Sequence, residues 1–341
     1  MAIDRLGHVQ PTAAGAALAA LWQRRWTVLV LVLVVATAGF LLWAPTFLNL
    51  YWMRLLSFAF LYAVLAQGIN LIAGYTGYPA FGNVVFFGIG AYAVAITMVK
   101  HGGGFWTGMV FAVVVPLAVA ALLGPPLLRL KGHYFAIATV GLNEVVKAFT
   151  NNLRDFTGGA MGLSLPFMSG GPAVTAHFFY YLLFALMALS LVVTWWFSVS
   201  RLGQACTAIR DDEEKAAAMG IRTARLKTVA WMISAALSGA AGGIYAYWMS
   251  YIEPATAFNM LIAVKAFVIF LLGGAGTVLG PIVAAFFFEF VSAWAWSYLL
   301  AYHVGLMGLI IIAVVIFMPN GFGAFLRERL APLGLDKRRG R

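Results

Sequence analysis

Long apolar runs separated by short polar breaks make up nearly the whole chain. Runs of about 17 to 25 such residues, enough to cross a hydrocarbon core of roughly 30 Å, recur between Thr27 and Phe317. The pattern predicts about ten transmembrane helices, at approximately 27–43, 51–73, 84–99, 108–128, 134–150, 178–198, 228–249, 258–275, 281–300 and 304–318. Lipid offers the backbone no hydrogen bonds, so runs of this length predict helices. The predicted fold class is an all-α polytopic membrane protein. Composition agrees, with 63% hydrophobic and only 10% charged residues.

The polar breaks orient the bundle. Lys and Arg concentrate in cytoplasmic loops near span ends, and an N-in, C-in arrangement puts seventeen of the 22 basic residues inside. Residues 1–26 are then a cytoplasmic tail whose short apolar run, 13–21, is followed by Arg24 and Arg25 and suits an interfacial helix. Residues 27–319 form the membrane domain, with a long cytoplasmic loop at 201–227, and 320–341 a basic cytoplasmic tail. The net charge of +11 follows from this bias and from contact with anionic lipids. It does not point to nucleic acid, which would need a basic patch on a folded soluble face. Cys206 is the only cysteine, so no intrachain disulfide can form.

Glycines interrupt the apolar runs twice, in "NLIAGYTGYPAFGNVVFFGIGAY" (70–92) and in "FLLGGAGTVLGP" (270–281). Gly74, Gly77 and Gly82 match Gly273, Gly276 and Gly280 in approximate spacing. Such paired interruptions mark transport pathways; they also let helices pack closely, and both readings stand at this point. Pro79 should break or start a helix. The candidate pathway positions are Asn70, Tyr75, Gly77, Asn83, Tyr92, Thr139 and Glu144. Glu144 and Lys147, three residues apart on one helix face, can neutralise each other, while Lys265 and Glu289 also fall within spans, where ionisable groups usually face the bundle interior.

The chain has 11 acidic residues, yet Asp211, Asp212, Glu213 and Glu214 stand side by side. Asp211 and Glu214 have capping-box spacing, and Gly220 suits the position after a helix end. The two turns between them are too short to be stable alone, so packing must hold them. Ala216, Ala217 and Ala218 give a face that another body can approach closely, which predicts a short cytoplasmic helix built to dock.

The stretch "SRLGQACTAIRDDEEKAAAMGIRTARLKTVAWMISAALSGAAGGIYA" resembles the cytoplasmic coupling loop of permease subunits of branched-chain amino acid ABC importers, the LivM type. The importer motif E-A-A, three residues, then G corresponds to Glu214, Lys215, Ala216 and Gly220, with Lys in the middle place. "GINLIAGYTG", "FGNVVFFGIGAYAVA", "LKGHYFAIATVGLNEVVK", "TGGAMGL" and "LGGAGTVLGPIVAA" resemble family segments in family order. Ala80 and Asn83 stand where many relatives carry Ser and Gln.

The resemblance implies a multi-pass protein of the bacterial inner membrane, paired with a second homologous permease, two cytoplasmic ABC ATPases and an extracytoplasmic solute-binding protein. It implies that Arg210, Asp211, Asp212, Glu213, Glu214, Ala216, Ala217 and Gly220 couple to an ATPase. Transport would proceed by alternating access, with branched-chain or related apolar amino acids as cargo and urea, short amides or small aromatic acids as alternatives. No G-x-x-x-x-G-K-[ST] occurs, so the chain would need no cofactor of its own and would rely on ATP and Mg²⁺ used by its partners. A proton-coupled secondary transporter using Glu144, Lys147 or Glu289 is the competing reading. An enzyme holding Mg²⁺ on "DDEE" would need a second acidic cluster, and the sequence has none.

Overall fold

The computed structural model describes residues 39–298 and 308. Both tails and nearly all of the tenth expected span (304–318) lie outside the described residues, as does most of the first (27–43). By contacts the chain divides into Met1–Asn49 and Leu50–Arg341. In the first unit, the described part carries a 3₁₀ turn, Ala44–Thr46, with the Trp43 and Phe47 rings edge to face at 5.5 Å.

Among its described residues the second unit is mostly helical. Its elements are α1 (Leu50–Ile69), α2 (Val84–Lys100), α3 (Phe105–Leu127), α4 (His133–Asn152), the short α5 (Arg154–Thr157), α6 (Gly171–Val199), α7 (Arg201–Asp211), α8 (Glu213–Ala218), α9 (Thr223–Met249), the short α10 (Pro254–Ala257), α11 (Met260–Gly273) and α12 (Gly280–Tyr298). Among the described residues, six helical segments are long and apolar enough to cross a membrane: Leu50–Gly74, Phe81–Lys100, Phe105–Leu127, Gly171–Val199, Thr223–Met249 and Pro254–Gly273. They coincide with six of the ten expected spans. The expected ninth span corresponds to the shorter apolar helix Gly280–Ala295. The fifth is helical as α4 but more polar, because Asn143, Glu144, Lys147 and Asn151 interrupt its apolar face.

The core forms around α9, which packs against α1, α2, α3 and α6. Its sequence "SGAAGG" (238–243) removes side chains where neighbouring backbones must approach, as small residues do between membrane helices. A Cβ at Gly242 would lie 1.9 Å from the Phe87 carbonyl oxygen on α2. One at Gly239 would lie 2.2 Å from the Ala112 carbonyl oxygen on α3 and 2.5 Å from the ring of Pro116. Lys265 on α11 and Glu289 on α12, both of which the hydropathy pattern leaves inside spans, pair with each other at 2.6 Å. The Lys265 ammonium also lies 4.1 Å from the centre of the Tyr62 ring on α1, so the charge is met by an anion and a π face.

The loops sort to two ends. One gathers 70–83, 128–132, 200–222 and 274–280, joined by hydrogen bonds of Arg210 to Gly74, Asn70 to Thr277 and Lys227 to Leu128. At the opposite end, β1 (Leu163–Ser164) pairs antiparallel with β2 (Tyr251–Ile252), with Leu163 opposite Ile252.

Gly242→Val should therefore force α2 away from α9 and destabilise the fold by about 3 kcal/mol, the upper end of ordinary overpacking costs. Gly141→Ala on α4, where nothing lies within 4 Å of the added atom, should leave stability equal or slightly raised. Thermal stability in detergent, read by size exclusion after heating, distinguishes them; equal behaviour would refute the close approach as the organising contact.

Candidate functional site: the α8 platform

Helix α7 starts on Ser200, whose hydroxyl accepts from the Gly203 backbone N–H at 3.1 Å. It turns Gly203, Cys206 and Ile209, three residues apart, inward, and this apolar face seats it on the end of α6. Burial pushes the Cys206 thiol up to about 12, so it is an inert packing group.

The helix stops at Asp212, which is extended (φ −162°, ψ 106°) and caps α8 by accepting from the N–H groups of Glu214 at 3.1 Å and Lys215 at 3.0 Å. Asp211 does not cap, contrary to the expected capping box. It is still helical, the last residue of α7, and its carboxylate lies 3.6 Å from Arg210 Nε. With two adjacent acids, the cap falls to the one whose backbone leaves the helix. The Lys215 backbone N–H, and then its ammonium at 2.9 Å, hold the Asp212 carboxyl below the usual range. Gly220 ends the turn with φ +86°, a conformation that glycine adopts without steric cost.

Glu213 points into the protein. Its Oε1 lies 2.6 Å from Lys227 Nζ and its Oε2 accepts from the Tyr78 hydroxyl at 2.5 Å. Lys227, 2% exposed, also donates to the Tyr78 hydroxyl at 2.7 Å and the Leu128 carbonyl oxygen at 3.0 Å. Burial alone would raise the Glu213 carboxyl; the hydrogen bonds from Lys227 and Tyr78 outweigh it and leave it below the ordinary value. The Tyr78 hydroxyl is raised by burial and by the same carboxylate. Glu214 reaches Lys131 at 3.2 Å across an exposed surface, a contact worth little in water.

The four carboxylates thus diverge to four sets of partners. Of the expected docking face Ala216 to Ala218, Ala216 is instead buried, while Ala217 and Ala218 face outward, as does Met219 just past the end of α8. The acidic run therefore fixes a short helix to the bundle and leaves a small-residue surface free.

The same end joins the two glycine interruptions. Asn70, in the π turn Asn70–Gly74 that follows α1, donates to the Thr277 carbonyl oxygen and accepts from the Gly276 N–H, both at 2.8 Å. Gln67 donates to the Val278 carbonyl oxygen at 2.6 Å. Gly77 has φ +76°, and the Tyr75 ring meets Phe197 edge to face. Thr139 accepts from the Gly82 N–H and donates to the Ala136 carbonyl oxygen. Asn83 donates to Ser234 and Ser238.

The structure thus brings Asn70, Tyr75 and Gly77 to the α8 end and leaves Tyr92 and Glu144 apart from them. Tyr92 stacks on Phe258 and lines a cleft of about 700 Å³ with Ile96, Phe111, Val115, Val146 and Thr150. Glu144 lies on an exposed face of α4, 3.8 Å from Lys147, the partner that the sequence assigns to it.

Sequence reasoning missed three participants. Tyr78 looks like a plain residue before Pro79. Lys227 counts as one more loop cation, although its place at the start of an apolar run is a signal that it needs a buried partner. Gln67 carries no local signal.

A family model described as branched-chain amino acid transport system / permease component matches residues 51–315. The chain is 33% identical over 298 residues to the high-affinity branched-chain amino acid transport system permease protein LivM of Salmonella typhimurium, covering 79% of this chain and 69% of the relative. The LivM protein of Escherichia coli is 32% identical over the same length and coverage. The permease protein LivH of the same organism is 25% identical over 287 residues, covering 76% of this chain and 90% of the relative. No solved structure matches. With the family pattern extending over most of its length and through both glycine interruptions and the α8 platform, this chain belongs to the permease-component family of branched-chain amino acid transport systems.

Proposed function

We propose that this chain is the membrane permease subunit of an ATP-driven importer for branched-chain or related apolar amino acids, and that α8 is the helix through which cytosolic ATPases act on it. The observation that carries the reading is the Glu213–Lys227–Tyr78 anchor. It ties a six-residue helix into the bundle while leaving Ala217, Ala218 and Met219 outward, as a docking surface that must transmit force requires. Energy comes from ATP and Mg²⁺ on two partner ATPases, cargo from an extracytoplasmic binding protein, and the cycle is alternating access.

LivM and LivH, both named as permease proteins of a high-affinity branched-chain amino acid transport system, are both relatives, which supports pairing with a second permease of the same family. The exposed Glu144 on α4 supports it too, because a charge is costly against lipid and is better covered by protein or water. The relatives come from Salmonella and Escherichia, which supports a bacterial inner-membrane location. The basic-residue bias supports N-in and C-in, with α7 and α8 cytosolic.

Ala217→Arg should release the ATPases or abolish their binding-protein-stimulated hydrolysis while the permease still folds. Asp212→Ala, which removes the cap, should weaken coupling in part, and Asp211→Ala should be near neutral. Purified transporter assayed for ATPase retention and stimulated hydrolysis with leucine, urea and benzoate as cargo decides both coupling and substrate; full stimulation with Ala217→Arg would refute α8 as the coupling helix.

Removing the anchor has a pH signature. Glu213 titrates below its unfolded value of about 4.3, so its contribution is complete above that pH and is lost as pH falls through the lower, folded value. Glu213→Ala should cost about 3 kcal/mol at pH 7, since it strands a buried ammonium. The gap to the unmodified chain should shrink below about pH 4; a gap independent of pH would show that the carboxylate charge is not what holds α8.

Because Cys206 is buried, a cysteine placed at Met219, which is 71% exposed, supplies the accessible thiol. In inside-out vesicles Met219→Cys should react with an impermeant maleimide, and in right-side-out vesicles it should not; the reverse pattern would overturn the orientation.

A further inference from the structure

Arg210 stands one turn before α8, yet it faces the membrane bundle. Its Nη1 donates to the Gly74 carbonyl oxygen at 2.8 Å, a group at the end of the π turn. The aliphatic stem lies along Gly77, where an added Cβ would meet Arg210 Cγ at 3.1 Å. The guanidinium tip lies against the second interruption, where a Cβ on Gly276 would meet Nη1 at 3.0 Å. Gly77 and Gly276 both have positive φ, +76° and +77°, so both loops are shaped to bring bare backbone to this side chain. Arg210 is thus wedged between both glycine interruptions, next to the Asn70 hydrogen bonds that join them, and one residue from Asp211, where α7 ends.

We propose that Arg210 is a positioning residue for transport, one that transmits displacement of α8 to the joint between the two glycine interruptions. The guanidinium holds the joint in the arrangement seen here, and movement of α8 draws it off the Gly74 carbonyl, freeing both loops together. A planar guanidinium on a long stem can touch two backbones at once, whereas an ammonium is a single point. The proposal rests on α8 being the coupling helix, and its test separates the two ideas.

Arg210→Ala and Arg210→Lys are compared with Arg201→Ala, an equal loss of charge at the far end of α7. In the purified full chain, amide hydrogen exchange should speed up in residues 74–83 and 274–280 together with Arg210→Ala, less with Arg210→Lys, and in neither stretch with Arg201→Ala. This readout does not depend on what the chain carries or what drives it. In the complete transporter, Arg210→Ala should lower substrate imported per ATP hydrolysed about tenfold or more, the scale of losing a hydrogen bond from a charged donor. Unchanged exchange at both loops, or an unchanged import-to-hydrolysis ratio in assembled transporter, would overturn the role of Arg210. If Ala217→Arg leaves stimulated hydrolysis intact while Arg210→Ala still loosens both loops, the coupling-helix reading fails and the Arg210 joint stands.

Discussion

The structure depends at its α8 end on one buried ammonium. Lys227 opens the central helix, with almost no exposure, at the end where four loops meet. An isolated charge there would cost several kcal/mol, and Glu213, Tyr78 and the Leu128 carbonyl oxygen together meet it. Those three groups come from three different connections, so satisfying one charge fixes 70–83, 128–132 and α8 relative to α9. A six-residue helix cannot be stable in water on its own account. Here its first residue is held by the bundle, its start by the Asp212 cap, and its end by Gly220.

This arrangement explains why so few acids are gathered so tightly. Each occupies a different direction around the start of a short helix: back along α7 to Arg210, onto the helix's own N–H groups, inward to Lys227, and across the surface to Lys131. Only the inward one is both charged and largely enclosed. The surface pair of Glu214 and Lys131 can be altered at little cost, while the Glu213 pair cannot be halved without stranding its partner.

Much of the fold was legible in the chain. Apolar length alone locates six helices, and the glycine left after the acidic run marks a helix end, because both properties are local. The capping residue was misassigned to Asp211 because only Asp211 has an acid, Glu214, at capping-box spacing, whereas the cap is Asp212; which one leaves the helix depends on how Gly203, Cys206 and Ile209 seat α7. The anchor escaped notice for a similar reason. Tyr78 lies 135 residues from Glu213, and nothing near either residue announces the other. The Glu144–Lys147 pair could be read because three residues on a helix is a local distance, whereas Lys265 and Glu289 meet only through the hairpin of α11 and α12.

The two glycine interruptions were readable as a faint repeat, with pathway and packing as rival explanations. Asn70 donates to one backbone group of the second interruption and accepts from another, and Gly74 stands where a Cβ would come within 2.7 Å of the Gly276 nitrogen. Side-chain-free backbone on both sides is what permits this contact, so close packing is a real part of their role. Packing and movement are not alternatives here, however. A joint made of hydrogen bonds from the Asn70 and Gln67 side chains to backbone, with Gly77, Gly274 and Gly276 at positive φ and the Arg210 side chain laid across it, can shift through rotation of a few backbone dihedrals. Tightly packed interiors resist gradual deformation, and conformational change needs places where a few dihedral rotations suffice. In this chain the glycine-rich joint sits beside the anchored α8, while the close helix packing of Gly239 and Gly242 keeps the rest of the bundle together.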